Sequence, residues 1–184
     1  MVQDPGYENV HQELIDRLKT GDRQAQYRIY QLYYRSMYNT CLRMVGVPED
    51  AEDIMQESFL AAFDKIGTYS GMVSFGAWLK KIVINRSLDH LKSRHRALIR
   101  LEEKDIDTHA DETENDEVHD RIPVESIRSA IRALPDGYRI VLSLYLLEGY
   151  DHEEIAQILE ITSATSRSQY ARARQKLLEL LRKK

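Results

Sequence analysis

Between Glu102 and Asp120 the chain carries ten carboxylates (Glu102, Glu103, Asp105, Asp107, Asp111, Glu112, Glu114, Asp116, Glu117 and Asp120) against one lysine, Lys104, with no aromatic residue and little apolar periodicity. Such a run cannot bury enough apolar surface to offset the entropy of ordering it, so it reads as a flexible tether between two foldable parts. The stretch has a net charge of −9 against −4 for all 184 residues, which leaves +5 for the remainder. The acidic total therefore hides two mildly basic lobes and does not argue against a nucleic-acid partner. The expected division is a domain over 8–98, a linker over 99–122 and a second domain over 123–184.

Every periodic segment on either side is helical, and none alternates with hairpin turns. The expected fold class is all-α, with two small helical domains. Val10, Leu14 and Leu18 mark a first amphipathic helix that Gly21 stops. Asp22 caps a long second helix in which Tyr27, Ile29, Tyr30, Tyr33, Tyr34, Met37, Tyr38, Cys41 and Val45 cover more than half the circumference, as suits the centre of a bundle. The helical spacing of the tyrosines favours core packing over base stacking. A third helix begins around Glu49 and Asp50 and buries Ile54, Met55, Phe59, Ala62, Phe63 and Ile66. Residues 67–73 have turn composition, and Ser74 caps a fourth helix with Phe75, Trp78, Leu79, Ile82, Val83, Leu88 and Leu91 inside. Beyond the acidic run, Pro123 opens a helix with Ile127, Ile131 and Leu134, and Pro135 opens the next.

Residues 136–181 then read as a helix-turn-helix. Asp151 stands three residues before Glu154, the spacing of a capping box, so a helix starts near His152 with Ile155, Ala156, Ile158 and Leu159 inward. Glu160 and Ile161 leave room only for a tight turn, and Thr162 or Ser163 caps the second helix. There Tyr170, Ala173, Leu177 and Leu181 face inward, which turns Ser163, Arg167, Ser168, Ala171, Arg172 and Arg174 or Gln175 outward. Guanidinium forks and small residues on one helix face suit a major groove.

Two blocks together carry a family resemblance. Asp50 to Phe59 (DAEDIMQESF), followed by Ser74 to Asp89 (SFGAWLKKIVINRSLD), resembles the second conserved region of bacterial sigma factors. Leu134-Pro135 through Glu153-Glu154-Ile155-Ala156 to Thr165–Leu177 (TSRSQYARARQKL) is similar to the fourth. A short acidic linker takes the place of the intervening domain, a plan that resembles the extracytoplasmic-function (ECF) branch. The resemblance implies a protein that binds core RNA polymerase, through its beta-prime clamp helices and beta flap, and directs promoter-specific initiation without chemistry of its own.

Positions matching the polymerase-docking motif are Asp50, Glu52, Asp53, Gln56 and Glu57; Asp50, Asp53 and Glu57 also share a helix face by spacing. The fourth helix is implied to capture the single-stranded −10 non-template strand, with the loop Tyr69 to Ser74 receiving a flipped base. Lys80, Lys81, Arg86, Lys92, Arg94, Arg96 and Arg100 make that helix and its extension basic, as a freed backbone requires. Asn85 matches a position near the promoter strand, and Trp78, which could stack on a base, is expected in the core. The implied −35 readers are Ser163, Thr165, Arg167, Ser168, Arg172 and Arg174. An anti-sigma factor is a further implied partner.

Three residues depart from the family pattern. Glu160 stands where the turn usually has glycine, at a cost of about 1–2 kcal/mol if the backbone is left-handed. Ser166 replaces an apolar residue facing the first helix of the motif, costing roughly 1–3 kcal/mol unless hydrogen-bonded. Gln169 replaces a basic residue and removes one phosphate contact.

Cys41 is the sole cysteine, which excludes an intrachain disulfide and a cysteine-based zinc cluster, and it reads as a small buried hydrophobe. His119-Asp120 prompts a metal phosphohydrolase, but His11, His90, His95, His109 and His152 lack ligand spacing, so no metal or cofactor is expected. The N-terminus lacks the pattern of a signal peptide and no run reaches membrane-spanning length, which favours the cytoplasm over membrane insertion. A helix-turn-helix regulator with a helical sensor domain is the alternative, though it leaves the Asp50 and Trp78 blocks unexplained.

Overall fold

The computed structural model describes residues 10–94 and 122–182, all of whose regular elements are helical. The acidic run from Glu102 to Asp120, with His119, lies outside the described residues, as do Arg96 and Arg100. Contacts part the chain into two compact units at Leu91 and Lys92.

The first unit contains α1 (Gln12–Lys19), α2 (Arg23–Val45), α3 (Pro48–Asp64), a 3-10 turn (Ile66–Thr68) and most of α4 (Phe75–Arg94). Asp22 starts α2 by accepting the Gln24 and Ala25 amides at 2.8 and 3.3 Å. The Arg17 guanidinium, 2.8 Å from the other carboxylate oxygen, and the Gln24 amide hold the Asp22 carboxyl below the usual carboxylate range. Gly46 ends the helix with φ +78°, and Pro48 follows at the first position of α3.

The core combines Ile15 and Leu18 of α1, Ile29, Met37, Cys41 and Met44 of α2, Ile54, Met55, Phe59 and Ala62 of α3, and Phe75, Leu79, Val83, Ile84, Leu88 and Leu91 of α4. Each large side chain contributes about 1.5–3 kcal/mol by leaving water. Burial pushes the Cys41 thiol up to about 12 and makes it an inert core residue.

Among the apolar positions expected inside the first unit, Val10 and Tyr27 are instead exposed. Val10 is 89% exposed because α1 begins only at Gln12, and Ile15 takes the buried place instead. Tyr27 is 61% exposed: the buried arc of α2 runs through Ala25 and Ile29, and Tyr27, two residues from each, falls on the far side. Tyr30 and Tyr33 sit at the edge of the core, 5.0 Å from the Phe59 ring and 5.5 Å from the Phe75 ring.

The second unit contains α5 (Val124–Arg132), α6 (Asp136–Leu146), α7 (His152–Leu159) and α8 (Ser163–Arg182), with α8 packed against the other three. Ile131, Leu134, Leu142 and Ala173 form one cluster of its core, around which Ile127, Tyr138, Leu177 and Leu180 close, and Val141, Leu144 and Ile155 are fully buried beside it. Arg139 is almost fully buried, yet its guanidinium donates to the Leu134 carbonyl at 3.1 Å and to Asp136 at 2.6 Å. That pairing meets the requirement of a buried charge and ties the start of α6 to the end of α5.

Candidate nucleic-acid interface and acidic face

The capping box predicted from Asp151 and Glu154 is formed in both directions: the Glu154 amide donates to Asp151 at 2.8 Å, and the Asp151 amide donates to Glu154 at 2.9 Å. Glu160 ends α7 at φ 58°, ψ 41°, so a non-glycine residue occupies the left-handed region at a cost of about 1–2 kcal/mol. The turn is closed by the Ile161 amide on the Ala156 carbonyl at 3.0 Å. Thr162 then caps α8 by accepting the Thr165 amide at 3.0 Å, and the two threonine hydroxyls lie 2.8 Å apart.

Ser166 is completely buried against α7, and its hydroxyl lies 2.9 Å from His152 Nδ1. The imidazole in turn stacks on Tyr145 at 4.5 Å and meets Tyr170 edge-on at 5.7 Å. A polar clasp thus replaces the expected apolar contact, and the desolvation penalty of a lone buried hydroxyl does not arise. Gln169 is half-buried rather than outward, and its Oε1 has no hydrogen-bond partner among the described residues.

The outer face of α8 has a definite layout. Ala164 and Ser168 are exposed and Ala171 partly so, forming a strip of small side chains that ends at Gln175. Arg167 and Arg174, seven residues apart, lie exposed along one edge, and Arg172 and Thr165, both half-buried, lie along the other. Ser163 is half-buried at the helix start. Arg167 Nη1 lies 3.6 Å from Glu153 on α7, an exposed pair of small energetic weight. Ala164 was absent from the sequence expectation although it stands one turn before Ser168.

On α4 the predicted residues do not share one face. Lys81 and Asn85 are exposed on a stripe that continues through Asp89 and Lys92. Arg86 instead turns to α3, with Nη1 3.0 Å from Glu57, and Lys80 is half-buried on another side. The helix carries Arg94, whose side chain is not among those described. Ser74 caps α4 by accepting the Ala77 amide at 3.2 Å. Trp78 is half-buried beside Tyr69 and Phe75, at 5.3 and 5.6 Å between ring centroids. Tyr69, expected in the DNA-contacting loop, is only 4% exposed and points its hydroxyl at the Val73 carbonyl.

On α3, Glu52, Asp53, Gln56 and Glu57 are exposed, while Asp50 is half-buried at the edge with its carboxylate 3.2 Å from His90 Nε2. Gln56 Nε2 donates to Glu52 at a long 3.4 Å. Leu60, 65% exposed and seven residues beyond Asp53, continues this face at its C-terminal end. Charge patterning passes over such a residue; the cue was a large apolar side chain in register with carboxylates.

The family patterns described as Sigma-70 region 2 and Sigma-70, region 4 match residues 29–97 and 124–177. The RNA polymerase sigma-H factor of Pseudomonas aeruginosa is 29% identical over 178 residues, spanning 89% of this chain and 90% of that protein. The ECF RNA polymerase sigma factor SigW of Bacillus subtilis is 28% identical over 183 residues, spanning 91% of this chain and 95% of that one. The fold is similar to that of the sigma factor RpoE of Bartonella quintana, solved in complex with the anti-sigma factor NepR, with a TM-score of 0.58 at 21% identity over 85% of this chain and 96% of that one.

Proposed function

This chain belongs to the ECF branch of the sigma-70 family, a factor that directs promoter-specific transcription initiation, and from that premise we propose how its surfaces divide the work. The acidic face of α3 docks core RNA polymerase at the beta-prime clamp helices, with Asp53 and Glu57 supplying charge and Leu60, one turn further on, an apolar contact. Such a composition, an exposed apolar side chain beside carboxylates, draws affinity from the apolar contact and orientation from the charges. The exposed Leu146 and Leu147 at the end of α6 give the second unit an apolar surface for the beta flap.

Promoter reading falls to α8 at the −35 element and to the N-terminal end of α4 with its preceding loop at the −10 element. The observation that carries this reading is the outer face of α8: small residues flanked by arginines on both edges, a layout that lets a helix approach base edges while guanidinium groups reach both phosphate walls. The protein performs no chemistry; phosphodiester synthesis belongs to the polymerase. No helix among the described residues is long and apolar enough to cross a membrane. We place its action in the cytoplasm beside the polymerase, and an anti-sigma factor, as held by the Bartonella relative in fold, is its expected inhibitor.

Reversing Asp53 and Glu57 together to lysine, or Leu60 to aspartate, tests the docking face. Both variants are expected to lose binding to core polymerase in a co-sedimentation assay while keeping helical content. Retention of full binding by both would remove α3 as the docking element.

A further inference from the structure

The carboxylates of α3 fall into two classes by what reaches them. Glu52 takes the Gln56 amide of its own helix, and Asp53 has no partner among the described residues. Asp50 and Glu57, two turns apart, are each met by a side chain of α4: the Asp50 carboxylate lies 3.2 Å from His90 Nε2, and the Glu57 carboxylate 3.0 Å from Arg86 Nη1. Arg86 and His90 stand one turn apart along that edge of α4. The Arg86 pair is lopsided. The arginine side chain is the more sheltered member, 38% exposed against 65% for Glu57, and it bonds to Oε2, so that Oε1 has no partner among the described residues. Arg86 is thus the fixed member, and the Glu57 carboxylate is the group being aimed.

An ion pair this open contributes little to stability in water, so holding the fold together does not account for it. A glutamate side chain has three torsions that docking must freeze, and one already held in the free protein loses less freedom when its partner arrives. We infer that Arg86 is a positioning residue for polymerase docking: it holds the Glu57 carboxylate in place with Oε1 open to a cation of the polymerase, and it takes no part in contact with promoter DNA. The inference rests on the reading of α3 as the docking element, and it removes Arg86 from the DNA contacts that the basic character of α4 suggested. A guanidinium that merely neutralised Glu57 would weaken its attraction to a basic partner. Positioning and masking therefore predict opposite signs when Arg86 is removed.

The test measures equilibrium binding of the full chain, labelled at its N-terminus, to core RNA polymerase by fluorescence anisotropy, and the salt dependence of promoter binding by the assembled complex. Arg86→Ala is expected to weaken core binding about fivefold, as the freedom of one long side chain returns to the unbound state, with unchanged helical content. In a Glu57→Ala background the same substitution is expected to change core binding by less than about twofold, because no carboxylate remains to be held. Arg86→Gln keeps most of the side chain without its charge, guards against a folding defect, and is expected to follow Arg86→Ala. Both variants should leave the slope of log promoter binding against log salt unchanged. Parental or tighter core binding by both would overturn the positioning role, and so would an equal loss with and without Glu57. A slope reduced by about one would overturn it as well, since that marks a phosphate contact. Asp53→Lys separates this inference from the reading beneath it. If Asp53→Lys loses core binding and the Arg86 variants do not, the positioning role alone falls; if all of them bind like the parent, α3 is not the docking element.

Discussion

α4 and α8 are each 20 residues long and rich in lysine and arginine, yet they deploy those charges differently. α8 keeps one clear strip of Ala164, Ser168 and Ala171 with arginines on both edges, while α4 scatters its cations: Lys81 on an open stripe, Arg86 on Glu57, Lys80 half-buried. The first arrangement suits close approach to an intact duplex. The second suits a helix embedded in its unit that offers isolated contacts. Counting charges makes the two helices alike; their angular placement separates them.

The sharpest way to break this comparison is to obstruct the strip on α8. Ala171→Glu places a carboxylate where phosphates and base edges approach, and is expected to cost about 3 kcal/mol, on the order of 100-fold, in binding of the reconstituted polymerase to promoters that carry a −35 element. Unchanged binding in an electrophoretic shift would mean that this face does not meet DNA. Arg172→Ala or Arg167→Ala should be milder, about 1–3 kcal/mol where the arginine grips a guanine. A base contact relaxes preference at one position, whereas a phosphate contact weakens all sequences alike, and footprinting with randomised −35 positions tells these apart. On α4 the expected contrast lies within one helix. Lys81→Ala should lower the slope of log binding against log salt by about one, and Lys80→Ala should leave it unchanged. The reverse pattern in a salt titration would refute the angular assignment.

Smaller effects concern stability. Ser166→Ala leaves the buried side of His152 without its partner and should destabilise the second unit by about 1–2 kcal/mol, visible as faster hydrogen exchange in α7 and α8. Ser87→Ala on α4 should cost about 1 kcal/mol, because that hydroxyl donates to the Val83 carbonyl of its own helix at 2.9 Å and also meets the Cys41 thiol of α2. Glu160→Gly should raise stability by up to about 1 kcal/mol, since relief of the left-handed strain is partly offset by the freedom glycine gains when unfolded. A loss of stability in that variant would show that the Glu160 side chain has a role the backbone does not reveal.

The features legible in the sequence were local ones. The capping box of Asp151 and Glu154 and the cap at Asp22 depend on residues within a turn of one another, and spacing alone is enough to read them. The inward register of Ala173 and Leu177 was legible for the same reason. What escaped depends on neighbours distant in sequence. Tyr69 is buried because Phe75, Trp78 and Lys19 converge on it from two helices, and Arg86 meets a carboxylate 29 residues away on α3. The solution to the buried Ser166 lay 14 residues back, in a histidine that no local rule connects to it. Leu60 was missed for the opposite reason: an apolar residue in a helix is taken as core by default, and only the fold reveals that its side has no cover within its own unit.

The burial of Cys41 has a practical consequence for tracing these surfaces in motion. With a thiol pushed up to about 12 and no exposure to solvent, the chain's single cysteine stays silent toward maleimides at neutral pH, so the natural protein serves as its own cysteine-free background. A cysteine introduced at Leu60, Met72 or Ser168 would then be the sole acceptor of a fluorophore, each addressing a different surface of an otherwise unaltered chain. Cys41 itself becomes reactive only when the first unit opens, and its rate of modification counts those openings.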